Sequence, residues 1–188
     1  MSKEYITPKH TDSGEIKNVR NMLKLTQKQF AGFVGVSKPT VERWESSNEK
    51  ITGPIVLLLE ILRRSPQIES EFTLPPCKAK MRLKYYYRDM LCTVIDVDEI
   101  EQRIWIRNYT NNLLFRAFGR NEQPSWTDYE EFLESRCFPR SRDKMKLMLK
   151  EYDIPFYDPL LIIEKTGGRM EEDDFHIVVE RYVHGRVV

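Results

Sequence analysis

The sequence predicts a multidomain α and α+β protein: an all-α helix-turn-helix bundle of four to five helices, then an antiparallel sheet with helices. Three observations predict it. Apolar residues recur at helical spacing as far as residue 64 and change to strand-like alternation from residue 81. Charge divides in the same way, with 11 Lys and Arg against 7 Asp and Glu in residues 1–66, and 19 against 22 in residues 67–188. Aromatic residues divide too, 4 in the first stretch and 17 in the second. The net charge of +1 over 188 residues is therefore the sum of a basic head and an acidic body. It excludes only a polybasic chain that wraps nucleic acid by charge alone.

The head reads as follows. Residues 1–13 are expected to be a flexible N-terminus and 14–65 the helical domain. Ile16, Val19 and Leu23 mark one face of a first helix over 15–24. Thr26 with Gln29 forms a T-x-x-Q capping box for a second helix over 27–34, which turns Phe30, Ala31 and Val34 inward. Gly35 is the expected left-handed C-cap. A four-residue turn leads to a third helix, capped by Ser37, with Pro39 in its first turn and Trp44-Glu45 near its end. A fourth helix opens at Thr52-Gly53-Pro54 and carries Ile55, Leu58, Leu59 and Leu62.

Ser65-Pro66 and Leu74-Pro75-Pro76 place a linker over 66–80, because Pro-Pro cannot continue a helix. The α+β domain is expected over 81–188. MRLKYYY, LCTVIDVD and RIWIRNY are its strand signals; in the second, Cys92/Val94/Asp96 alternate with Thr93/Ile95/Val97. Thr127 is the expected cap of a helix containing Tyr129, Phe132 and Leu133. A second helix is expected from about Ser141 with Met145, Met148 and Leu149. Asp158-Pro159 opens a third, ended by Gly167-Gly168, and FHIVVERYV over 175–183 closes the sheet.

LTQKQFAGFVGVSKPTVERWE resembles the helix-turn-helix of Cro/repressor (Xre) regulators and antitoxins, over roughly residues 15–64. Ser47 stands where many members have Gly, so a different loop after the third helix is expected. The resemblance implies a pair between Arg20 and Glu45, partly buried. Geometry adds the candidate DNA contacts: Gln27 at the start of the second helix for a phosphate, and Lys38, Thr40 and Arg43 on the third helix for base edges. Ser37 and Lys50 are assigned to phosphate. Phe132–Ile177 resembles the small N-terminal subdomain of Hip-type toxin kinases, through F-x-x-x-R, P-x-S-R and D-x-F-x-I; the preceding strands extend that resemblance to about 81–180.

These readings bound the function. Double-stranded DNA is the expected partner of the head, and two copies are expected because one helix-turn-helix reads only a few base pairs. The second domain is expected to bind a protein, a toxin or a nuclease. Tyr85–Tyr87, Trp105 and Trp126 are candidate exposed contacts, and Arg136, Arg140, Arg142, Lys144 and Lys146 a second basic patch. An alternative is a mobile-element inhibitor, of anti-CRISPR or similar type, whose head binds DNA or autoregulates. No phosphate-binding glycine loop, kinase motif or metal-ligand spacing occurs, so no enzyme, cofactor or metal is expected. The longest apolar run, Ile55–Leu59, is 5 residues. That is far short of the roughly 18–20 of a membrane span. MSKEYITPKHTDSGE has no apolar core of a secretory signal. Cys77, Cys92 and Cys137 then read as reduced thiols of a cytoplasmic protein.

Overall fold

A computed structural model describes residues 3–138 and 145–183, and the backbone of 186–187. The chain divides into two compact units, Met1–Pro75 and Pro76–Val188.

The first unit holds α1 (Ser13–Met22), α2 (Gln27–Val34), α3 (Lys38–Ser46), α4 (Pro54–Arg64) and a short α5 (Ile68–Glu71). Asp12 caps α1, its carboxylate accepting from Glu15 N at 2.9 Å, so the helix starts earlier than its apolar spacing suggested. Ile16, Phe30, Val41 and Leu62 are fully buried and bring one residue each from α1, α2, α3 and α4 into a single core. Leu23 and Trp44 pack against it half-buried. Thr11 is not part of a loose leader. It exchanges two backbone hydrogen bonds with Ile51, at 2.8 and 2.9 Å, and is buried. The stretch 66–80 is not an extended connector throughout either. It carries α5, and beyond the division Lys78 N donates to Asp96 at 2.8 Å.

The second unit contains β1 (Met81–Tyr87), β2 (Met90–Asp98), β3 (Arg103–Asn108), α6 (Trp126–Ser135), α7 (Met145–Glu151), α8 (Pro159–Thr166), β4 (Phe175–Val183) and β5 (Arg186–Val187). The strands form one sheet in the order β3-β2-β1-β4-β5, with antiparallel neighbours. β1 is central because β4 returns to pair with it, Leu83 opposite Val179. Ser125, not Thr127, caps α6: its hydroxyl accepts from Asp128 N and the Asp128 carboxylate accepts from Ser125 N at 2.7 Å. The carboxylate at the third helical position makes Ser125 the reciprocal partner, which moves the helix start. Gly167, at φ +68°, ends α8 in the left-handed region.

The sheet has two unlike faces. Leu83, Ile95, Ile106 and Ile177 share one face and pack with Phe132, Leu133, Ile162 and Ile163 of α6 and α8. Arg82, Lys84, Asp96, Trp105, Arg107 and Glu180 lie on the other. Strict in-and-out alternation in β2 does not follow. Cys92–Val97 are all buried: β2 lies between β1 and β3, and Cys77, Lys78 and Arg82 all bond Asp96. Asp96 tolerates burial because Arg82, directly opposite on β1, bonds both its oxygens at 2.6 and 2.9 Å.

Candidate nucleic-acid interface

The start of α2 is built by the capping box foreseen in the sequence. Thr26 Oγ1 accepts from Gln29 N at 3.3 Å, and Gln29 Oε1 accepts from Thr26 N at 2.9 Å. Gly35 ends α2 at φ +72°, a conformation that costs a side-chain-bearing residue strain, and Val36 N–H closes onto Ala31 C=O at 2.9 Å. The turn is one residue shorter than expected, 35–37, because α3 begins at Lys38. Ser37 caps α3: its Oγ accepts from Thr40 N at 3.3 Å and lies 2.8 Å from Thr40 Oγ1.

Behind α3 sits the buried ion pair. Arg20 on α1 donates from Nε to Glu45 Oε1 at 2.6 Å and from Nη2 to Oε2 at 3.2 Å, while its Nη1 bonds the Leu25 carbonyl at 2.9 Å. Gln27 Nε2 adds a bond to Glu45 Oε2 at 2.8 Å. Burial pushes the Glu45 carboxyl up. Hydrogen bonds from Arg20 and Gln27, with the Arg20 charge, more than reverse this and hold it below its ordinary range. The carboxylate thus locks the end of α3 to α1 and to the start of α2, fixing the angle at which α3 is presented.

The structure sorts the candidate residues. Lys38, Arg43 and Lys50 are exposed; Thr40 is half-buried. Lys38 pairs with Glu42 one turn on at 2.7 Å, both about half exposed, a contact of little energy that phosphate or a base can replace. The Arg43 guanidinium makes no hydrogen bond or ion pair among the described residues, and Val41 and Glu45 beside it face inward. Ser37 and Thr40 spend their hydroxyls on each other in the cap. Gln27 has an engagement the sequence did not suggest: its amide nitrogen bonds Glu45, so it braces the motif. Ser47 sits at φ −74°, ψ 142°, extended backbone that needs no glycine, and its Oγ accepts from Glu49 N at 3.0 Å. The departure from the family pattern is accommodated without strain.

A family model described as helix-turn-helix, of the Cro/C1 type, matches residues 16–62, which span α1 to α4. The head is therefore a helix-turn-helix of Xre type, the DNA-binding domain of transcription regulators. No curated protein matches the chain.

Of the residues expected in a second basic patch, Arg136 does not reach the surface. Arg136 is buried, with Nη1 and Nη2 on Asp173 at 2.7 and 3.0 Å and Nε on the Gly168 carbonyl at 3.0 Å. Burial lowers the pKa of this guanidinium; the hydrogen bonds and charge of Asp173 more than offset that. The residue is a buried clamp between the end of α6 and the segment before β4, which is why its charge is not on the surface. Lys146 is exposed on α7, while Arg140, Arg142 and Lys144 lie outside the described residues. The aromatic candidates also move inward. Tyr85 is buried against Phe132 and Phe175, and Tyr87 stacks on Phe115 at 4.3 Å; Tyr86, Trp105 and Trp126 are half-buried. Among the described residues no group of His, Cys, Asp or Glu could hold a metal ion, and no helix is long and apolar enough to cross a membrane.

Proposed function

We propose that the protein is a sequence-specific regulator and autorepressor that binds double-stranded DNA as a homodimer, with α3 in the major groove and its second unit engaging a protein partner. The observation that carries the DNA reading is α3: it presents Lys38 and Arg43 outward while Glu45 anchors it from behind. Arg43 is suited to a bidentate contact with guanine, Lys38 to a base edge at the start of α3, and Lys50 to phosphate. Two heads placed on half-sites about 34–36 Å apart supply the specificity that one lacks. The partner of the second unit is a toxin, as the antitoxin-type resemblance of the head implies. The mobile-element reading, with a nuclease as target, is the alternative. Three free thiols, Cys77, Cys92 and Cys137, fit a cytoplasmic compartment, and the reading requires no cofactor and no catalysis.

The test is selection of a bound duplex from a randomised library, followed by titration of the selected site. Arg43→Ala is expected to lose about 1–3 kcal/mol and to relax preference at one position. Unchanged affinity and preference would remove α3 as the reader. Capture from cells by the full chain identifies the partner: recovery of a kinase-like toxin supports the antitoxin reading, and recovery of a nuclease supports the alternative.

A further inference from the structure

The polar face of the sheet carries chemistry that the proposed function does not use. Arg103, Trp105 and Arg107 alternate along β3 with Ile104 and Ile106, which turn to the core. Cation, ring and cation therefore follow one another on one face at intervals of about 7 Å. The Arg103 guanidinium lies 5.8 Å from the centre of the Trp105 ring, and that of Arg107 lies 5.2 Å from the Tyr109 ring. Across the sheet, Tyr86 and His176 stand opposite each other on β1 and β4 with their rings stacked 5.1 Å apart and 8° from parallel. Burial, and then the Arg169 charge, hold the His176 pKa below its ordinary value, so this platform is uncharged at neutral pH.

The acids on the same face are already engaged. Asp96 takes Arg82 and the Lys78 amide, Glu180 takes Lys84 and the Tyr182 hydroxyl, and Asp98 takes the amides of Ile100 and Glu101. The Arg103 and Arg107 side chains are exposed beside rings, while Asp96 and Glu180 are paired with Arg82 and Lys84. The described residues of α6 and α8 cluster with the opposite face, and Val178, beside Lys84, is 41% exposed. Flat aromatic surface interleaved with guanidinium groups is the combination that binds unpaired nucleotides, because every base offers a π-face.

We propose that this face binds single-stranded DNA, its phosphates following Arg103 and Arg107 and its bases stacking on Trp105 and the Tyr86–His176 pair. The choice of DNA over RNA rests on the reading of the head as a duplex-DNA binder, which delivers the tethered face to any strand that opens beside its site.

The test uses the full chain and fluorescein-labelled oligothymidylate, followed by anisotropy over a salt series. Binding that weakens with salt and survives an excess of unlabelled duplex is expected. Arg103→Glu, at an exposed side chain, and Trp105→Ala are each expected to weaken it about tenfold or more, and Trp105→Phe to restore most of the Trp105 loss. Absence of binding by the unaltered chain, or equal binding by all variants, overturns the proposal. Tighter binding of oligouridylate overturns the assignment to DNA. A duplex titration run alongside separates the two readings: loss of duplex binding with oligothymidylate binding intact counts against the head and supports the face.

Discussion

Arg20 in the head and Arg82 in the body are both guanidinium groups taken out of water and held by one carboxylate, yet they are held differently. Arg20 keeps 16% of its side-chain surface and spreads its bonds over Glu45 and the Leu25 carbonyl, joining α1 to α3 and to the turn before α2. Arg82 keeps 3%, faces Asp96 at 6%, and the two form a flat cross-strand pair in the middle of the sheet. The first pair orients a surface helix; the second lets the central strands bury a polar position. A pair that keeps some contact with water can rehydrate when broken, whereas one with 3% and 6% of its side-chain surfaces exposed cannot.

The sharpest way to break this comparison is Asp96→Ala. It takes the carboxylate away from both the buried Arg82 guanidinium and the Lys78 amide and is expected to cost about 3–5 kcal/mol, read as a lower urea midpoint for the second unit. Glu45→Ala strands Arg20 closer to water, so a smaller cost of about 2–3 kcal/mol is expected, together with loss of duplex binding because α3 is no longer held. Equal costs for the two variants would erase the distinction. Thr26→Ala removes half of the capping box and is expected to cost about 1 kcal/mol in the thermal unfolding of the head.

Acid sharpens the comparison further. The Glu45 carboxyl is held below its ordinary value of 4.5, so its contribution to stability is complete above that pH and is lost as pH falls through the folded-state pKa. Asp173, lowered by the hydrogen bond from Arg136, behaves in the same direction. Glu45→Gln is therefore expected to flatten the acid limb of the head's stability profile while leaving that of the second unit unchanged, measured by denaturation from pH 6 to pH 3, the range over which carboxylates of ordinary pKa titrate. An unaltered acid limb would place the effect elsewhere.

The head was legible because its signals are local. Thr26 with Gln29, Gly35, Ser37 with Pro39, and the apolar stripe of α4 each lie within a few residues of the element they start or end. What escaped there were contacts between elements: the Thr11–Ile51 bridge that anchors the N-terminal segment, and the Gln27 amide turned to Glu45. In the second unit the strands were legible from alternation, but the cap of α6 was misplaced by two residues, since Ser125 and Thr127 offer the same hydroxyl and only the partner Asp128 distinguishes them. The destination of Arg136 was not legible at all. A run of basic residues reads as a surface patch until Asp173, 37 residues away, is brought against one of them.

The caps of α2 and α3, the apolar faces of the helices and the order of the helix-turn-helix follow from neighbours in the chain, and the linear order of residues sets them before any packing occurs. Which ionised groups are buried, which ring stacks on which, and which face of the sheet packs on α6 and α8 depend on β4 returning beside β1, with Lys84 and Glu180 96 residues apart. Those outcomes are decided by desolvation: a charge or a ring is buried where a distant partner compensates it, and the partner is known only once the chain has closed on itself.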